Sequence, residues 1–112
     1  MNPIKLASKK ALLSSFGRAK MGAVIVKSGR VLSTGINNIR YSKHNKRTWA
    51  SVHAEEQAIV SLLKQPEGIK QLVGSTLYVS RVMKDGSTGL AKPCADCQAL
   101  INAVGIKKVV HT

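Results

Sequence analysis

The first 54 residues of this 112-residue chain contain no acidic side chain: the first carboxylate is Glu55. Eleven of the 18 Lys and Arg stand before it, and the formal charge of the whole sequence is +13 at pH 7. Aromatic residues make up only 4%, prolines number 3 and cysteines 2. With 44% hydrophobic residues and 9 Gly, so little proline excludes a collagen-like or low-complexity chain. No apolar run approaches the roughly 20 residues that a membrane helix needs. The opening Met1-Asn2-Pro3-Ile4-Lys5 leads into a lysine-studded segment, which is not the pattern of a secretory leader. The two cysteines, Cys94 and Cys97, are too close in sequence to staple a fold and well spaced to grip a metal. Such usage fits a reducing compartment, so a cytoplasmic location is expected. The length allows one domain over residues 1–112.

What is abundant is positive charge, and at this density it points to a polyanionic partner: nucleic acid, a nucleotide or an anionic surface. No basic amphipathic helix carries bulky aromatics on an apolar face, so no membrane partner is expected.

Hydrophobic periodicity places the elements. Ile4, Leu6, Ala7, Ala11, Leu12 and Phe16 predict a helix over 3–16, stopped by Gly17. Two short apolar runs, 23–26 and 31–34, flank Lys27-Ser28-Gly29-Arg30 and predict a hairpin. Residues 38–52 show no clean period and read as a long loop, which at that length in a small domain is functional or disordered. A second helix is expected from His53 to about Lys64, ended by Pro66 and Gly68. A strand follows at 76–80, then a loop at 85–89. A third helix starts near Cys94 and is capped at Gly105; residues 106–110 form the last strand. The order α-β-β-loop-α-β-loop-α-β predicts an α/β fold, a central sheet with helices that carry the special residues at their N-terminal ends.

Those residues are His53-Ala54-Glu55 and Pro93-Cys94-Ala95-Asp96-Cys97. One His and two Cys supply three good ligands for Zn²⁺, and four-coordinate zinc then keeps a position open for water, the layout of a catalytic site. A fourth protein ligand would have to be His44 or His111, and nothing in the pattern calls for one. Cys94 and Cys97 point the same way on a first helical turn, and the positive helix end favours thiolates. Glu55 is two residues from His53, so it does not share its ligand direction but is placed beside the open position, where a carboxylate can shuttle a proton. Taken singly, each residue is better explained as a buried histidine or an inert core cysteine; both short motifs at helix starts make the metal reading the stronger one.

The two motifs resemble the H-x-E…P-C-x-x-C signature of the zinc-dependent nucleobase deaminases, the cytidine/deoxycytidylate deaminase superfamily. The resemblance extends over nearly the whole chain, because 21–35, 76–79 and 106–110 are similar to that family's strands in the same order. It implies a three-layer α/β fold with a central mixed sheet of about four strands. It also implies zinc on His53, Cys94 and Cys97, with Glu55 as proton shuttle. Asn37 is similar to the asparagine that such proteins set against the substrate sugar and base, and backbone groups at Ala54 would hold the base edge. The implied reaction is hydrolytic: zinc-bound hydroxide attacks the base and ammonia leaves. The stretch from Glu55 to Cys94 is longer than in many members, owing to residues 81–92. An open sheet edge in so short a chain makes a homo-oligomer an expectation as well.

The substrate is read from the charge. Arg40, Lys43, Lys46 and Arg47 are interleaved with Tyr41, His44 and Trp49, and cations beside flat rings suit a single strand with stacked bases. Arg81, Lys84 and Lys92 precede the cysteine helix and would line the other side of the mouth. The expectation is therefore cytosine-to-uracil deamination in single-stranded nucleic acid, DNA ahead of RNA. The alternatives are a deaminase of free dCMP or cytidine, and a non-catalytic zinc module that binds nucleic acid.

Overall fold

The structure, a computed structural model, describes residues 2–14, 19–41 and 49–112. Helix α1 (Pro3–Ala11) starts where Asn2 Oδ1 accepts the Lys5 N–H at 3.3 Å and Pro3 occupies a first-turn position that needs no donor. Lys9 and Lys10 close it against the negative end of the helix dipole. The helix stops at Ala11, short of the expected residue 16.

Strand β1 (Ala19–Lys27) turns into β2 (Arg30–Ile36) through Ser28 and Gly29. Both have left-handed φ, 52° and 76°, which matches the right-handed twist of the paired strands. Residues 38–52, expected as a loop, contain instead a second hairpin: β3 (Asn38–Tyr41) pairs antiparallel with β4 (Trp49–Val52). Four residues a side joined by a backbone ladder need no alternation of apolar side chains, so periodicity could not reveal them.

After β4 come α2 (Ala54–Leu63) and the short α3 (Gly68–Leu72), then β5 (Thr76–Met83), β6 (Thr88–Gly89), α4 (Ala95–Ala103) and β7 (Lys108–His111). Helix α2 ends at Leu63 with Lys64 as its cap, ahead of Pro66 and Gly68 as expected; a single helical turn such as α3 is too short to show a period. Helix α4 ends as expected: Gly105 has φ 81°, its N–H bonds Asn102 O, and the Ile106 N–H reaches back to Ile101 O at 3.2 Å. These are the two bonds of a left-handed helix cap.

The main sheet has five strands, not about four. Its order is β2-β1-β5-β6, with β7 also on β5. β1 covers one edge of β5 along its whole length, antiparallel. The other edge is shared: β7 lies parallel to Thr76–Val79 and β6 antiparallel to Arg81–Val82. Five strands therefore fill four positions across the sheet.

Strand alternation sorts the core into layers. Val24 and Val26 face α1 and pack with Ala7. Ala23, Ile25, Leu77 and Val79 face the other way and pack with Ala54, Ala58, Ile59 and Leu62 of α2 and with Ile101 of α4. Helix, sheet and helices make three layers, as expected. Ile25, Ile59 and Leu77 are fully buried, each worth about 1.5–3 kcal/mol over exposure, so the sheet holds α2 rigidly.

Candidate active site

Three contacts dock α2 onto β2. Gly35 lets the helix backbone in: a Cβ there would lie 2.3 Å from Ala54 O and 2.6 Å from Ala58 N. Ser33 Oγ donates to Ala58 O at 2.8 Å, and the Ile36 N–H donates to Gln57 Oε1 at 2.7 Å. The start of α2, with His53, Ala54 and Glu55, is thereby fixed beside the end of β2. His53 is the N-cap and makes no side-chain capping bond, so the first-turn N–H groups, Ala54's among them, are not taken by the cap.

Helix α4 brings the cysteines. Cys94 is its N-cap, extended at φ −69° and ψ 169°, and Cys97 lies on its first turn facing inward with Ile101. The approach is tied down by the Ala91 N–H, which donates to Thr112 O at 2.8 Å, and by burial of Ala91 and Pro93.

The two helix starts meet. His53 Nδ1 stands 3.2 Å from Cys97 Sγ and 3.7 Å from Cys94 Sγ, and the three ligand atoms lie within 4.8 Å of one another. Tetrahedral zinc, with Zn–S near 2.3 Å and Zn–N near 2.05 Å, asks for an N···S separation of about 3.6 Å. The observed pair brackets that value, so one imidazole nitrogen and two sulfurs are set for Zn²⁺.

Glu55 completes the arrangement. It is 3% exposed, and its Oε1 is buried with no hydrogen-bond partner among the described residues. Burial, the neighbouring charge of Glu55 and the contact with Cys94 push the Cys97 thiol up. A site that resists thiolates when metal-free is one that a divalent cation relieves. A cavity of about 240 Å³ beside the cluster is lined by His53, Glu56, Asp96, Cys97 and Leu100.

The profile of the cytidine and deoxycytidylate deaminase zinc-binding region matches residues 1–112. The chain belongs to that family. Its deoxycytidylate deaminase relative from Mycobacterium phage D29 is 32% identical, across 95% of this chain and 88% of the phage protein. Among solved structures, the dCMP deaminase of cyanophage S-TIM5, in complex with dCMP and dUMP, is 28% identical with a TM-score of 0.73, across 99% of this chain and 82% of that one. Guanine deaminase from Bacillus subtilis is 26% identical with a TM-score of 0.62, across all of this chain and 64% of its own. The protein is thus a zinc-dependent deaminase, a hydrolase acting on C–N bonds.

Within this deaminase the other expected residues lie as follows. Asn37 is buried at the end of β2, where its Oδ1 accepts from the Met21 N–H at 2.8 Å and from Ser14 Oγ at 2.6 Å. Arg40 and Tyr41 lie on β3 and Trp49 on β4; their side chains, together with Lys43, His44, Lys46 and Arg47, are outside the described residues. Lys84 and Lys92 are exposed. Arg81, on β5, is only partly exposed and its Nε is buried. His111 is exposed, with Nδ1 against Thr112 O at 2.9 Å, and is not in the cluster. Sequence reasoning missed Gly35 and Gln57, which set the helix, and Glu56 and Asp96, which line the cavity. Glu56 directly follows the His53–Glu55 motif and Asp96 stands inside the cysteine motif; nothing local marks the first two.

Proposed function

We propose that this deaminase acts on the free nucleotide, converting dCMP and water to dUMP and ammonia. The observation that carries the reading is the likeness to a dCMP deaminase in complex with dCMP and dUMP across 99% of this chain, and the phage D29 relative agrees with it. Both favour the nucleotide over the polynucleotide that the +13 charge suggested. Charge reports that a partner is anionic, which a nucleotide phosphate satisfies, and not how many phosphates it has.

His53, Cys94 and Cys97 hold the zinc, which when bound supplies a Lewis acid that makes water a nucleophile near neutral pH. The chain's own residues do the rest. The Ala54 N–H, left open at the start of α2, meets an oxygen on the base edge. Asn37, oriented by Met21 and Ser14, meets the sugar. Glu55 takes the proton of the attacking water, passes it to the ring nitrogen and then assists the departing amine. A C–O bond forms at C4 of cytosine and the C–N bond breaks. A buried carboxyl oxygen, Oε1, with no hydrogen-bond partner among the described residues suits that duty, because its partners arrive with substrate and water.

The test is a parallel assay on dCMP and on a cytosine-containing single-stranded oligonucleotide, at equal cytosine concentration and low salt. dUMP from the first with no uracil in the second is expected. Uracil in the oligonucleotide, suppressed by added salt, with no dUMP would overturn the reading and restore the polynucleotide substrate.

A further inference from the structure

We propose that Arg81 is the residue that takes the 5′-phosphate of the substrate and so selects the nucleotide over the nucleoside; this rests on the nucleotide reading above. The first observation is position. Leu77 and Val79 of β5 point to the face that carries α2 and α4, where they pack with Ala54 and Ile101. Arg81, two residues further on, projects to that same face. It stands towards the C-terminal end of β5. β5 and β7 are parallel and α4 connects them, so α4 runs back against them and starts, at Cys94, from that same end. Arg81 is therefore at the end of the sheet where the metal ligands gather.

The second observation is that the side chain is held and yet unused. Its backbone N–H donates to Thr112 Oγ1 at 3.1 Å, and the hydroxyl of Thr112 donates in turn to Gly89 O at 2.6 Å. Gly89 is the β6 partner of Arg81 and Met21 its β1 partner, so the stem lies between two strands. Gly89 leaves it room: a Cβ there would sit 3.4 Å from Arg81 Cδ and 2.8 Å from Met83 Sδ. Among the described residues the buried Nε has no hydrogen-bond partner and the guanidinium forms no ion pair.

A buried donor on a charged group, left without an acceptor, is costly. Its acceptor then comes with the ligand. Cytosine and deoxyribose are neutral, and the one anion that dCMP offers is its phosphate. A planar guanidinium matches that anion with two parallel N–H···O bonds, which an ammonium does not. The packed stem also limits the freedom lost on binding, which the exposed heads of Lys84 and Lys92 would lose in full.

The experiment compares the zinc-loaded full chain with Arg81→Gln and Arg81→Lys, using dCMP and deoxycytidine as paired substrates. Losing hydrogen bonds to a charged group predicts a KM for dCMP raised about tenfold or more in Arg81→Gln, with kcat, zinc content and Tm close to wild type. The slower turnover of deoxycytidine should be unchanged, and Arg81→Lys should fall between. An unchanged KM for dCMP, or an equal loss on both substrates, would overturn the assignment and leave Arg81 a packing residue. Should Arg81→Gln lose its fold, Arg81→Lys, which keeps the stem and the charge, carries the same measurement. Wild type inactive on dCMP overturns the nucleotide reading itself, whereas wild type active and Arg81→Gln indistinguishable from it overturns only the role of Arg81.

Discussion

Gly35 on β2 lies directly beneath Ala54 on α2, so close that a methyl group on Gly35 would meet the Ala54 carbonyl oxygen at 2.3 Å. The residue that opens the catalytic helix is therefore positioned by the absence of a side chain on the strand below it. Neither backbone can yield cheaply, because β2 is paired with β1 and α2 is packed into the core.

Gly35→Ala should accordingly push the start of α2 outward. Overpacking of this kind costs about 1–3 kcal/mol, and Glu55 and His53 move with the helix. The expected result is a lowered Tm together with a loss of kcat larger than the change in KM. Thermal melts and steady-state kinetics on one preparation would check it; a wild-type kcat in a destabilised protein would show that α2 recovers its place.

Gln57 acts from the other side of the same joint. Gln57→Leu leaves the Ile36 N–H without its acceptor, a cost of about 1–3 kcal/mol, whereas Gln57→Glu keeps an acceptor oxygen. Denaturant midpoints should fall in the order wild type, Glu variant, Leu variant. Equal midpoints for the two variants would mean that the 2.7 Å bond contributes little.

Glu55→Gln tests chemistry apart from structure. Since Glu55 Oε1 has no partner among the described residues, the isosteric amide forfeits no such bond, and Tm should be unchanged or higher. Removing a proton shuttle costs about 10²–10⁴-fold in rate. Turnover should fall by that much with zinc near one per chain, read by metal analysis. Loss of zinc instead would place the carboxylate among the ligands.

The cysteines predict opposite pH responses with and without metal. In the metal-free fold the Cys97 thiol is held above its ordinary value of 9.0, by burial first and by Glu55 and Cys94 next. The folded state then keeps a proton that the unfolded chain releases. Stability is full below pH 9 and falls as pH rises through and beyond it. With zinc bound the thiolates are already formed, so acid competes with metal and stability falls as pH is lowered. Melting curves across pH, with and without a chelator, should show the two slopes with opposite signs. Cys94→Ser or Cys97→Ser should lose the metal and remove the difference.

Neutralising Lys43, Lys46 and Arg47 together separates the two substrate classes. A free nucleotide needs one or two cations, so the rate on dCMP should change less than about threefold, while any binding of an oligonucleotide should weaken and lose salt dependence. Initial rates and a salt titration read both.

Much of the chemistry was legible before the fold. A spacing of three residues puts Cys94 at the N-cap and Cys97 on the first turn of one helix, and a helix start is a local event, so the motifs and the starts of α2 and α4 could be placed from neighbours alone. The β1–β2 turn is local in the same sense, since Ser28 and Gly29 act on their own backbone. The β3–β4 hairpin was hidden because its pairing is between backbones and its polar residues carry no period.

The sequence by itself determined which groups can bind metal and carry a proton, because those properties belong to side chains and to spacing within one turn. It did not determine where they meet. His53 joins two cysteines 41 and 44 residues away only because β5 lies between β1 and β7 and α4 runs back across the sheet. Gly35 admits α2, and Arg81 Nε is left without an acceptor among the described residues, for the same reason. Contacts between distant segments depend on strand order and helix docking, and those are decided by burial of the whole core.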